Sequence, residues 1–268
     1  MKKTLTVIIP IHKFSEEIKG YLVKAITSVT NQRDKKQIPT LLLVYHSDIK
    51  NELTEYIQAS DFGIKIELLE NEQKNDYCSQ VNYAVDNIKT EYFTILEFDD
   101  QLSDAYTKNL HEYIKAYPDA SVFLPLTVEV TDKNEFIRYS NDGAWSKSII
   151  QIGELGVLSL QTLTEYTYFL VTGGAFKTKD FIEVGKYKTN IKLTFNYELL
   201  LRYAFNNMDI MVMSKLLYLH TTNRVDSLFH QYQMTLIQKE IHHWFEIAKR
   251  EYYFKTERET KEFFLIEQ

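Results

Sequence analysis

Apolar residues follow two rhythms along this chain. Short unbroken runs, Leu5 to Ile11, Pro39 to Tyr45, Ile64 to Leu69 and Glu91 to Leu96, read as strands covered on both faces. Between them the spacing turns helical. Tyr21, Leu22, Ala25, Ile26 and Val29 share one face of a helix that Ser15 can cap, and Val81, Ala84, Val85 and Ile88 share one face of another. Ser47-Asp48 offers the cap of a helix between these two, reaching about Ala59. Strand and helix alternating in this way predict an α/β fold with a doubly wound sheet. Such sheets place ligands beyond the carboxyl ends of their strands, so the residues after Ile11, Tyr45 and Leu96 are expected to face one crevice.

The second half is less regular. A helix runs to about Ala116 and is broken by Pro118, and Ser121 to Val130 reads as a strand. Pro125 inside that strand removes a ladder donor, which predicts an edge or bulged position. Residues 131 to 165 have weak periodicity around the turn signal Asn141-Asp142-Gly143. An apolar stretch surrounds Gly173-Gly174, a buried helix covers Phe195 to Phe205, and a strand from Ile210 to Leu219 ends at His220. From Ser227 onward Leu228, Tyr232, Ile241 and Trp244 form a helical stripe that packs back on the domain, joins two chains in an oligomer, or, with Lys239, Lys249, Arg250, Lys255 and Arg258, meets an anionic partner. The expected organisation is one domain over 1–226, with halves 1–104 and 105–226, and a C-terminal helical extension over 227–268.

Composition narrows the class. With 44% hydrophobic and 25% charged residues the 268-residue chain is ordinary globular protein, and its net charge of -6 argues against an electrostatic nucleic-acid clamp. Only 8 Gly and 4 Pro punctuate it, which favours long elements over Gly-rich loops. The single Cys78 forms no internal disulfide and reads as a small core residue. His242-His243 lacks a second ligand pair, so no metal site is expected there. The first apolar run is too short for a secretory leader, and no run approaches the roughly 20 apolar residues that span a bilayer. A cytoplasmic protein, of a bacterium or of a phage-infected cell, is the expectation.

Chemistry concentrates at Glu97-Phe98-Asp99-Asp100. Three carboxylates within four residues repel one another unless a cation or hydrogen-bond donors offset them. Hard oxygen ligands at a strand end suit Mg²⁺ or Mn²⁺, above all when a diphosphate completes the coordination. The other reading is a solvated acidic turn that caps the helix starting near Ser103.

The order of the segments adds a resemblance. A buried strand ending in Pro10, the helix with Ala25-Ile-Thr-Ser-Val-Thr-Asn-Gln32, Asn71, Asn82-Tyr-Ala-Val85 and Tyr92 to Asp100 follow one another. Thr172-Gly-Gly-Ala-Phe176, Val184-Gly185 and Tyr197-Glu-Leu-Leu-Leu-Arg202 come later. This succession, over roughly residues 4 to 225, resembles the family 2 glycosyltransferases of the GT-A fold. The resemblance implies a GT-A-like mixed sheet flanked by helices, and metal-dependent, inverting transfer from a nucleotide-sugar to a hydroxyl. The acceptor would be a glycan, a lipid-linked sugar, a protein or a modified base of phage DNA.

It also implies roles by position. Pro10, Ile11 and His12 would line the nucleobase, with Asn82, His46 and Asp48 on the donor side. Glu97, Phe98 and Asp99 correspond to the metal motif, with Asp99 the direct ligand and Asp100 beside it toward the acceptor. His220 completes the metal site or is a packed histidine. Gly173, Gly174 and Arg202 would belong to the acceptor side, where the two glycines could let the acceptor approach the backbone or simply form a tight turn; Trp145, beside Asn141 and Asp142, reads from its neighbours as a stacking platform for an acceptor or as a core residue. Two departures stand out. The acids expected after the second strand are Tyr45 and His46, which leaves the base open although a UDP-sugar is favoured. The acid expected as acceptor base is Asn196, an amide that takes no proton at neutral pH. Glu198, two residues on, either serves as the general base or pairs with Arg202 across one helical turn. If neither acts, the chain is a catalytically inactive module that keeps the fold.

Overall fold

β1 (Leu5–Ile11) is buried along its whole length between two parallel neighbours, β2 (Thr40–His46) and β4 (Tyr92–Ile95). A computed structural model describes residues 4–141, 156–167, 169–222 and 227–258. β3 (Ile66–Asn71) continues the sheet in parallel beyond β2. The continuous apolar runs follow from this placement. Val7 and Ile9 face one core together with Leu22, Ile26 and Val29 of α1 (Glu16–Thr30), while Ile8 faces the other core with Val81 and Val85 of α3 (Tyr77–Asn87). Full burial of each such side chain contributes about 1.5–3 kcal/mol. Ser15 caps α1 by accepting from the Ile18 amide, as its position predicts. α2 (Lys50–Ala59) starts later than Ser47-Asp48 suggests, because residues 47–49 form a 3₁₀ turn first.

The other side of β4 carries the second half of the chain. β8 (Ala175–Lys177) runs antiparallel to β4, and β6 (Val122–Val130) pairs with β8 and with the long β9 (Ile210–Thr221). The two-residue β5 (Gln101–Leu102) closes that end against β9, and β7 (Phe136–Ser140) hangs on β6 as a hairpin. The resulting sheet order is β3-β2-β1-β4-β8-β6-β9-β5, mixed in direction and flanked by helices. Pro125 lies inside the sheet rather than at an edge. The register of β6 against β9 shifts on either side of Leu126, and this irregularity accommodates the proline.

α4 (Tyr106–Ala116), α5 (Leu160–Glu165), α6 (Thr178–Glu183) and α7 (Phe195–Phe205) complete the layers. α8 (Leu228–Thr235) and α9 (Gln238–Glu251) follow. α9 docks on α7: Trp244, Ala248 and Tyr252 enter the same core as Leu199 and Tyr203, and Thr194 Oγ1 donates to the Trp244 carbonyl at 2.8 Å.

Buried charge joins these helices. Arg202, wholly buried, donates through Nε and Nη2 to Glu198 and through Nη1 and Nη2 to the carbonyls of Val184 and Lys186. Lys188 Nζ lies 3.0 Å from Glu198 and donates to the Glu251 carbonyl at 2.6 Å. Arg258 then pairs with Glu251. Burial pushes the Lys188 pKa down, and the Glu198 and Glu251 charges oppose that shift. Removing one partner of such a set leaves an uncompensated charge in the interior. Arg202→Met should therefore cost about 3–5 kcal/mol in urea unfolding; a loss well under 1 kcal/mol would show that the network does not hold α7.

Candidate active site

The acidic turn sits where β4 leaves the sheet. Leu96 N still donates to Ile8 O at 2.9 Å, and Asp100 N donates back to Glu97 O, which folds residues 97–100 into a tight turn. Asp100 is wholly buried, and both carboxylate oxygens are occupied on β9: His220 Nδ1 lies 2.9 Å from one, and the Thr221 amide donates to the other at 2.7 Å. Thr221 Oγ1 donates to the Asp99 carbonyl at 2.6 Å. The Asp99 main chain is thereby anchored, and the residue is buried, at 7% exposure. Tyr218, two residues before His220 on the same face of β9, accepts from the Glu97 amide through its hydroxyl at 3.3 Å. Burial, then the charges of Asp100 and Glu97, hold that phenol well above its usual range. The sequence pattern alone did not single out Tyr218 or Thr221. Two-residue alternation back from His220 is the signal that would have found Tyr218.

His220 keeps a partly exposed ring. Burial alone would lower its pKa, but the Asp100 carboxylate, as charge and as hydrogen-bond partner, with Glu97 and Asp99 behind it, lifts it to about 10. A carboxylate on one ring nitrogen is also the arrangement that orients a histidine to offer its other nitrogen to a metal. Asp99 and His220 are an oxygen and an imidazole donor, a set that suits Mn²⁺ or Mg²⁺. Among the described residues no three His, Cys, Asp or Glu side chains converge to hold a metal, so nucleotide oxygens would have to complete the coordination.

The end of β1 lies beside this turn. The His12 ring, exposed, stands 5.6 Å from Phe98. Asn75 Nδ2 donates to the His12 carbonyl, and the buried Gln80 donates to Ile11 O and to Asn75 Oδ1. Pro10, Ile11 and His12 thus form a braced rim opposite Glu97 to Asp100. At the end of β2, His46 pairs with Asp48 at 2.9 Å, whereas Tyr45 is buried in the α1 core.

Several expected contacts lie elsewhere. Glu198 is wholly buried, with both oxygens held by Arg202 and one also by Lys188, so it opens onto no crevice and the ion-pair reading is the one observed. Arg202 is equally interior and corrected with it. Asn82 is spent on the Tyr187 backbone, donating to its carbonyl and accepting from its amide. Asn196 accepts from the Tyr187 hydroxyl at 2.8 Å. A Cβ on Gly173 would lie 2.2 Å from Tyr218 Cδ2, and φ there is +73°; one on Gly174 would meet Val171 O and Leu124. At both glycines internal neighbours stand where a side chain would be. Trp145 lies outside the described residues, as do 223–226, where the domain boundary was drawn.

Residues 6–175, more than half of the chain, match the sequence pattern described as glycosyl transferase family 2. The chain belongs to that family. No curated protein matches the sequence. Among solved structures, S. aureus TarS 1-349 superposes with a TM-score of 0.61 at 16% identity, over 81% of this chain and 60% of TarS 1-349. The same fragment in complex with UDP-GlcNAc gives 0.65 at 13% identity, over 91% and 65%. This chain thus spans under two thirds of those structures, and 37% of the longer TarS structure. The glycosyltransferase membership fits the mixed sheet and the acidic turn at its centre. No described helix is long and apolar enough to cross a membrane.

The raised His220 pKa has a consequence for stability. In the metal-chelated protein its contribution is fully present below the ordinary imidazole value of 6.5 and is lost as pH rises through about 10. Denaturant unfolding should show the wild type weakening across that window and His220→Gln losing most of the slope. An unchanged slope in the variant would disprove the Asp100–His220 coupling.

Proposed function

We propose that this chain is a metal-dependent, inverting glycosyltransferase that moves a sugar from a uridine nucleotide-sugar to a hydroxyl acceptor. The observation that carries the reading is the joining of the Glu97–Asp100 turn to His220 and Thr221 at the carboxyl end of the sheet. The family supports the nucleotide-sugar. The fold shared with a protein solved in complex with UDP-GlcNAc and with UDP supports uridine.

The residues divide the work. Pro10, Ile11 and His12, braced by Asn75 and Gln80, line the nucleoside through the backbone. The His46–Asp48 pair stands at the next strand end, where it can read the base in place of the missing acids. Asp99 and His220 would hold Mn²⁺ or Mg²⁺, which supplies Lewis-acid charge to the departing diphosphate when bound. Asp100 positions His220 and keeps Asp99 in place through Thr221. Displacement from the face opposite the diphosphate inverts the sugar carbon, and its base is a group other than Glu198.

A second reading has its own observation. With a neutral Asn196 and an interior Glu198, a module that binds nucleotide-sugar without turnover fits the same geometry. Donor hydrolysis separates the two, because the module binds UDP with Mn²⁺ and releases no sugar. In the enzyme, Asp99→Asn should weaken Mn²⁺-dependent UDP binding by about tenfold to a hundredfold and remove donor turnover. Calorimetric titration showing equal affinity in wild type and variant would sink the metal reading.

A further inference from the structure

The acidic turn is tied to β9 at both of its ends, and only one of the ties involves a charge. At the far end the Asp100 carboxylate takes His220 Nδ1 and the Thr221 amide. At the near end the Glu97 amide donates to the Tyr218 hydroxyl at 3.3 Å. Between them the turn closes on itself, with Asp100 N donating to Glu97 O at 3.0 Å. Asp99, the ligand assigned to the metal, therefore lies inside a loop pinned at each end.

Tyr218 is seated to act as a fixed strut. It is wholly buried and pairs with Thr127 of β6, on the sheet face that also carries Glu129 and His220. Its ring lies on Gly173, where a Cβ would stand 2.2 Å from Cδ2, 2.6 Å from Cγ and 2.8 Å from Cε2. With φ at +73°, that backbone conformation is also one that favours glycine. Gly173 is in turn held to β4 on both sides. Its amide donates to the Ile95 carbonyl at 3.2 Å, and its carbonyl accepts from the Tyr106 hydroxyl at 2.7 Å. Tyr106 also bonds the Thr94 hydroxyl at 2.9 Å. The ring thus rests on main chain that β4 itself fixes. Its hydroxyl meets the first amide after the last bond between β4 and β1, the one from Leu96 to Ile8.

We infer that Tyr218 is a positioning residue for donor binding: its hydroxyl sets the Glu97 end of the turn, and with it the place where Asp99 meets the metal and the diphosphate. This rests on the transferase reading and adds to it a residue that acts through the turn. Without the hydroxyl the turn is held at Asp100 alone and can pivot there. The nucleoside, assigned to the rim formed by Pro10, Ile11 and His12, should not feel that loss.

The test compares the wild type with Tyr218→Phe, which keeps a ring on Gly173 and removes only the hydroxyl. Amide hydrogen exchange on the full chain without ligand reads the tie itself. Exchange at Glu97 should quicken about tenfold, while Leu96, bonded to Ile8, keeps its rate. Titration then reads the consequence: UDP with Mn²⁺ should bind the variant about tenfold more weakly, and uridine, followed by ligand-observed NMR, should bind both proteins alike. An unchanged Glu97 rate would overturn the inference, as would unchanged UDP affinity. An equal rise at Leu96, or an equal fall in UDP and uridine affinity, would also overturn it, since the hydroxyl would then only support the fold in general. Failure of the wild type to bind UDP with Mn²⁺ would count against the transferase reading instead, and the exchange rates would still decide whether Tyr218 holds the turn.

Discussion

The Asp100 carboxylate is the constraint on which the β4 end of the sheet depends. It is wholly buried, and its charge is offset by the His220 ring and the Thr221 amide, both on β9. β4 and β9 are not neighbours in the sheet; β8 and β6 stand between them. One side chain therefore fixes the exit of β4 against a strand three places away and determines where Asp99 can present its carboxylate. The acidic run is tolerated because its members have different tasks. Asp100 is consumed internally, Glu97 is half-buried beside the Tyr218 hydroxyl, and Asp99 is buried with its carbonyl held by Thr221.

A second set of charges, interior except for Arg258, ties the later helices together as Asp100 ties β4 to β9. Arg202, Glu198, Lys188, Glu251 and Arg258 form an alternating chain from the middle of α7 to the residues after α9. It runs through the loop at 184–190, which Asn82 also grips from α3. Gly185, at φ +101°, passes so close to the Lys255 carbonyl that a Cβ would lie 2.0 Å from it. The C-terminal helices are thus tied to the interior by ions as well as by Trp244 and Tyr252. An oligomer built on the apolar stripe of α9 would have to forgo this packing, because the stripe is already covered by α7.

Much of the architecture was legible because parallel strands buried on both faces leave continuous apolar runs, and because Ser15, Pro118 and the Phe195 to Phe205 span carry local signals. The acidic turn was legible for the same reason: charge directly after a buried strand is unusual. The side-chain assignments were harder. Glu198 and Arg202 at i,i+4 read equally well as an ion pair or as a base with its neighbour, and the arrival of Lys188 from another segment is not visible in the sequence. Gly173 and Gly174 announce a close approach without saying by what, since Tyr218 comes from a strand far along the chain. Pro125 left an edge and a bulge open, because sequence shows the missing N–H but not which of the two absorbs it, and the register shift in β6 decides for the bulge.

Burial also bears on why the residue at 196 is an amide. Its Oδ1 accepts from the Tyr187 phenol, whose ring is packed among Tyr77, Phe181 and Phe195 and whose pKa burial pushes well up. An aspartate there would receive the same hydrogen bond and would add a charge beside an aromatic cluster, on the same helix as the Glu198 carboxylate. Lys188 and Arg202 are committed to Glu198, so they offer little to a second acid. The amide fits the local electrostatics, and its cost falls on proton transfer.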